Sequence, residues 1–148
     1  GYQILGEYYR DHEGQTATFI GALPMYTEAG DTRLIGNIVF RADAVEGAPV
    51  VVGFENHAGR TRLREGACPL GTVMRGFGNN GEDGTEGLRY RNDIATYSHG
   101  PLLPKNPHVA DALIEAALQR RYPGAKLRPL DDTLEMAAHD TMEHRLIS

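Results

Sequence analysis

Val50-Val51-Val52-Gly53-Phe54-Glu55-Asn56-His57-Ala58-Gly59-Arg60-Thr61 is the stretch on which the reading of this chain turns. Its first five residues form an unbroken apolar run, as expected of a strand buried on both faces in a parallel α/β sheet. Such sheets need helices on each side, and helical patterns follow later in the chain. The run delivers Glu55, Asn56 and His57 ahead of a glycine turn. Polar groups at the carboxyl end of a buried strand stand where open α/β sheets collect ligands. Asn56 and His57 therefore read either as a wall of an active site or as a hydrogen-bonded strand-end turn.

A second segment has the same grammar. Ile94-Ala95-Thr96-Tyr97-Ser98 runs into His99, and Gly100-Pro101 turns the chain. An imidazole there is able to act as a general base near neutral pH, or to cap the turn. Thr32–Arg41 alternates and is rich in strand formers. Arg33 at its start is either a solvated residue or a two-point clamp for a carboxylate. Thr18–Leu23 and Thr72–Met74 predict short strands, and Leu88–Tyr97 one or two more. Arg60–Gly71 reads as a charged connection.

The ends of the chain read as helical. Gly1–Arg10 predicts an amphipathic helix with Ile4, Leu5 and Tyr8 on one face and no N-cap, so the chain is expected to begin inside a domain. Asn106-Pro107 opens a helix with an apolar stripe of Val109, Ala110, Leu113, Ile114, Ala117 and Leu118. A last helix from Asp131-Asp132 is expected to turn Leu134, Ala137, Ala138, Thr141 and Met142 inward.

Composition narrows the function classes. A chain of 148 residues with 41% apolar side chains fits one domain with one core. A net charge of −5 offers no basic face for nucleic acid. No apolar run approaches the ~20 residues of a membrane span. One cysteine forms no internal disulfide, so a reducing, cytoplasmic setting is expected.

Several motifs fail on their context. Gly76-Phe77-Gly78-Asn79-Asn80-Gly81 matches G-x-G-x-x-G, but Glu82, Asp83 and Glu86 follow it instead of a helix and would repel phosphate. Read as a calcium loop, it has Tyr90 where the closing glutamate belongs. His139 and His144 are five residues apart, the wrong helical spacing for a shared ligand face, and no metal site is expected. Cys68, between Ala67 and Pro69, has neither a helix start nor a base beside it and reads as inert.

Gly1-Tyr2-Gln3-Ile4-Leu5-Gly6, Thr32-Arg33-Leu34-Ile35-Gly36-Asn37, Gly53 to Thr61, Pro69-Leu70-Gly71 and Tyr97-Ser98-His99-Gly100-Pro101-Leu102-Leu103 occur in this order. Together they resemble the cobyric-acid-synthase-like branch of the class I glutamine amidotransferases, and within it the glutaminase subunits that serve lipid II. The resemblance implies a flavodoxin-like, three-layer α/β sandwich. Residues 1–148 would be the C-terminal portion of a single amidotransferase domain, beginning just after the nucleophile elbow. The elbow cysteine is then expected two residues ahead of Gly1. The resemblance makes His99 the catalytic histidine and Arg33 an arginine that handles glutamine, and puts Asn56 and His57 in the wall beside the substrate. Other class I amidotransferases place a glutamate two residues after the histidine, where this chain has Pro101. A Cys-His dyad, or a third partner elsewhere, is implied. The implied reaction releases ammonia from glutamine for amidation of D-glutamate in the peptidoglycan precursor. The implied partner is a Mur-ligase-like subunit of the MurT type, which would hold ATP and magnesium, with no cofactor or metal on this chain. The alternatives are the glutaminase domain of a cobyric or cobyrinic acid amidating enzyme and a non-catalytic binding or assembly homologue.

Overall fold

One long antiparallel ladder organises the molecule. In a computed structural model describing all residues from Gly1 to Ser148, β3 (Met25–Arg41) pairs along its length with β4 (Val50–Leu63), with one irregularity between Ala29 and Leu34. The other edge of β3 takes β1 (Tyr8–Arg10) in parallel near its start and β5 (Gly71–Arg75) in antiparallel fashion near its end. β2 (Thr16–Thr18) extends the sheet beyond β1, and β6 (Thr85–Glu86) extends it beyond β5. β7 (Leu88–Tyr90) and β8 (Asp93–Ala95) form a separate hairpin. Helices α1 (Leu102–Lys105), α2 (Pro107–Arg121) and α3 (Thr133–Ile147) close the chain.

The α/β class stands, but the sheet is not parallel: only the short β1–β3 contact is. Val50–Val52 needed cover on both faces for a different reason. Val51 joins Ile38, Phe40, Leu70 and Val109 of α2 on one face, while Val52 joins Val39 and Leu146 of α3 on the other. Beyond this doubly covered end the two-residue period of a strand takes over. Val51, Gly53, Glu55, His57, Gly59 and Thr61 all point inward and are buried, while Asn56 is exposed. One face of β4 therefore passes from apolar core to polar cluster along a single strand.

Several expected elements differ. Residues 1–10 hold only a 3-10 turn at Gln3–Leu5 and then β1, because Gly6 is buried against Met25 and its neighbours join the sheet. No strand covers 19–23; β2 stops at Thr18. β4 runs to Leu63 through what read as a connection, so Glu55 to His57 lie mid-strand and not at a strand end. Arg33 likewise sits inside β3, at the irregularity. On α2 only the start of the stripe is used: Val109 is buried, while Leu113 and Ile114 are exposed. On α3 the inward residues are His139, Met142 and Leu146, and Leu134 is 81% exposed. Docking of α3 against β3, β4 and β5 from its C-terminal half set that rotation, overriding the apolar count. Asn106 stands at the N-cap position of α2 without capping it. Its side chain instead accepts the Val52 N–H at 2.8 Å and donates to the Val52 carbonyl at 2.9 Å, imitating a strand partner on the open edge of β4.

Candidate active site

The same edge of β4 receives the segment that carries His99. Phe54 and His99 exchange two backbone hydrogen bonds, of 3.0 and 2.9 Å, and their rings meet edge to face at 5.7 Å. β8 has already ended at Ala95, so His99 is delivered by this isolated bridge and not by a strand running into it. Gly53 makes the approach possible. A Cβ there would meet the Ser98 hydroxyl, so glycine lets the 96–99 segment lie flat on the strand without turning Ser98 aside.

A pocket of about 270 Å³ opens at this junction. Its walls are residues 1–3, Asn56 and His57 of β4, and Thr96 to His99. Arg33 lies just outside, its Nε donating to the Asn56 Oδ1 at 2.7 Å. The structure thus brings His99, Asn56 and His57 to one cavity, with Arg33 one hydrogen bond away and Gly1 in the wall. His99 is exposed to the pocket and free at its ring nitrogens, so it is open to a proton donor placed there.

The pocket floor is a buried polar network. His57 Nδ1 donates to the Gly59 carbonyl at 2.8 Å. Nε2 is buried without a hydrogen-bond partner and lies 3.7 Å from Glu55 Oε2. The imidazole stacks on Tyr97 with ring centroids 3.6 Å apart. Gln3 donates to the Tyr97 hydroxyl at 2.8 Å, and that hydroxyl bonds Thr61 at 2.6 Å. Burial pushes the Tyr97 phenol upward, so it stays a neutral hydrogen-bond relay. Tyr2 reaches Asn79 at 3.1 Å, and burial followed by the nearby Glu86 pushes its phenol well above the ordinary value.

Two buried glutamates hold the surroundings. Glu55 accepts the Phe77 N–H at 2.7 Å and the Gly78 N–H at 2.9 Å. These are consecutive amides of the G-x-G-x-x-G loop, so the loop that imitates a phosphate cradle is filled by the protein's own carboxylate. Glu86 accepts from Thr96 Oγ1, from the Tyr97 N–H at 2.8 Å and from the Ser98 N–H at 3.3 Å. Sequence reasoning missed Glu86, Gln3, Tyr2 and Tyr97. Glu86 stood among loop acids with no pattern to separate it from solvated ones, and the tyrosines carry no local motif.

Cys68 is exposed in a larger cavity of about 460 Å³ that also holds Asp43, Arg89 and Arg91. Its backbone pairs with Arg89, and no histidine lines that cavity. The smaller pocket is therefore the site with the chemistry. His139, Asp140 and Glu143 place ligand-type atoms within 4.8 Å of one another, a cluster that the His139–His144 spacing did not show. His139 Nδ1 donates to the Lys105 carbonyl at 2.9 Å, which joins α3 to α1, and His139 Nε2 faces Glu143 of the same helix at 3.7 Å.

Residues 1–107, which include every wall of the pocket, match the family described as the CobB/CobQ-like glutamine amidotransferase domain. The chain belongs to that family. Among curated relatives, the glutamine-hydrolysing lipid II isoglutaminyl synthase subunit GatD of Staphylococcus aureus is 41% identical over 145 residues, covering 98% of this chain and 58% of the relative. The GatD subunit of Streptococcus pneumoniae is 38% identical over 123 residues, covering 82% of this chain and 46% of the relative. The chain spans about half the length of the curated relatives it matches. Most of this amidotransferase domain's helical tail, from Pro107 onward, lies outside the family match, although the S. aureus relative continues through it. No helix is long and apolar enough to cross a membrane.

Proposed function

We propose that the whole protein hydrolyses glutamine and passes the ammonia to a ligase subunit that amidates D-glutamate of lipid II. The observation that carries this reading is the convergence of His99, Gly1 and the Asn56–His57 wall on one pocket. The names of the two relatives support the choice of lipid II over a corrinoid acceptor. In this reading the nucleophile is the elbow cysteine that the resemblance puts ahead of Gly1. His99 takes the thiol proton as sulfur attacks the side-chain amide carbon and gives it to the departing ammonia. Water then cleaves the thioester to release glutamate. Arg33 and Asn56 hold the amino-acid end of the substrate at the pocket mouth. Backbone N–H groups of the elbow stabilise the oxyanion, each worth about 3 kcal/mol. ATP and magnesium serve a Mur-ligase-like partner. This chain's anion-cradle loop is already occupied by Glu55.

The test is glutamate release by the full-length protein with its ligase subunit. His99→Ala should lower turnover by about two to four orders of magnitude, the range of a general base, with the melting temperature nearly unchanged. A His99→Ala protein that still turns over glutamine at the normal rate sinks the reading.

A further inference from the structure

We infer that Glu86 is a positioning residue for glutamine hydrolysis, holding the Thr96–Ser98 segment so that His99 stands at the pocket. The inference rests on the proposed role of His99. The geometry is one-sided and specific. A single oxygen, Oε1, accepts from Thr96 Oγ1, from the Tyr97 N–H at 2.8 Å and from the Ser98 N–H at 3.3 Å, the last shared with Thr96 Oγ1 at 2.8 Å. Its carboxyl mate Oε2 is buried with no partner at all. The side chain is fully buried, so water does not substitute for it. The Tyr97 ring is held by Gln3, Thr61 and His57, but the backbone of the segment makes no backbone–backbone hydrogen bond between Ala95 and His99. β8 ends at Ala95, and the next backbone anchor is the Phe54–His99 bridge. Side-chain contacts fix the Tyr97 ring, and Glu86 holds the backbone amides of the run between Ala95 and His99.

The grip needs an acceptor oxygen rather than a negative charge. Burial pushes the Glu86 carboxyl above its ordinary range, outweighing the hydrogen bonds that pull it down, and the buried Glu55 pushes the same way. An amide at this position keeps an acceptor oxygen for the same donors. Glu86 therefore acts on His99 through the chain path, not through its field.

The experiment uses the full-length enzyme with its ligase subunit and counts active sites by stoichiometric alkylation with a chloroketone analogue of glutamine. Glu86→Ala should lower kcat per alkylatable site by about 100-fold, the scale of a 1 Å misplacement of a reacting group, with KM for glutamine changed less than threefold. Glu86→Gln keeps the acceptor oxygen and should hold kcat within about threefold of the parent, with the acid limb of its pH profile unmoved. Thr96→Val, which removes one of the three donors, should lower kcat on the order of tenfold and serves if Glu86→Ala does not fold. Parental kcat in Glu86→Ala, or in Thr96→Val where Glu86→Ala does not fold, overturns the inference. Equal loss in Glu86→Gln and Glu86→Ala, or a shifted acid limb in Glu86→Gln, also overturns it, because the charge would then be what matters. His99→Ala measured alongside separates the two levels: full activity there fails the histidine's role itself, whereas an effect of Glu86 without one on KM fails neither.

Discussion

The β3–β4 ladder and the stretch from Gly76 to His99 are held by different atoms. In the ladder, backbone pairing from Met25–Leu63 to Arg41–Val50 fixes every side chain, and apolar residues fill both faces at one end. In residues 76–99 the strands are two or three residues long. There the path is set by side chains: Glu55 holds the glycine loop, Asn79 donates to the Gly87 carbonyl at 2.8 Å, and Glu86 holds the run to His99. Stability is concentrated in the first region and site geometry in the second, so substitutions should separate the two readouts.

The largest effect should come from the ladder. Phe40→Ala removes a fully buried ring from the main core and should cost about 3–5 kcal/mol of stability in denaturant unfolding. Glutamine turnover per folded site should stay within about twofold. A loss of turnover matching Glu86→Ala would show that the two regions are not separable.

Arg33 gives a smaller effect that sharpens the division from the other side. It is exposed in the ladder, yet its Nε reaches Asn56 at the pocket. Arg33→Ala should raise KM for glutamine by about tenfold, in line with loss of a charge-assisted contact, and Arg33→Lys by less, since an ammonium keeps the charge without the fork. Melting temperature should move little. An unchanged KM in both variants would return Arg33 to the solvated face of the ladder.

The smallest effect is a pH dependence at the ladder's end. His108 Nε2 donates to the Val50 carbonyl at 2.9 Å, and burial pushes its pKa below the ordinary value, with His139 adding to the shift. Asp111 and Glu143 oppose it. A histidine lowered on folding contributes stability that is complete above its unfolded pKa of about 6.5 and is lost as pH falls through the folded value. Melting temperature should therefore drop below about pH 6.5, and His108→Gln should flatten that drop. An identical pH profile in the variant would assign the acid limb to other groups.

Much was legible before the fold was seen. The apolar run at Val50 located the core strand, the alternation from Thr32 located its partner, and Asn106-Pro107 located α2. These signals are periodic and local, and short-range backbone geometry obeys them. The resemblance to amidotransferases also rested on linear segments, which is why the family match recovers it over residues 1–107. The misreadings share one cause. Ile4, Leu5 and Tyr8 fit a helix face and Leu134 fits another, but Tyr8 is drawn into the sheet while Ile4 and Leu5 stay exposed in a short 3-10 turn, and Leu134 is turned out because Leu146 docks instead.

The sequence by itself determined the α/β class, the strand cores at Thr32–Arg41 and Val50–Phe54 and the amidotransferase family. Tertiary structure decided the rest: that the ladder is antiparallel, that the glycine loop cradles Glu55 instead of a phosphate, and that Glu86 alone among the loop acids is buried beneath the His99 segment. The physical reason is separation along the chain. Glu86 and Ser98 are brought together by a hairpin, and Glu55 and Gly78 by a sheet edge. A carboxyl group bears no mark of burial until the backbone donors it accepts from have been carried to it.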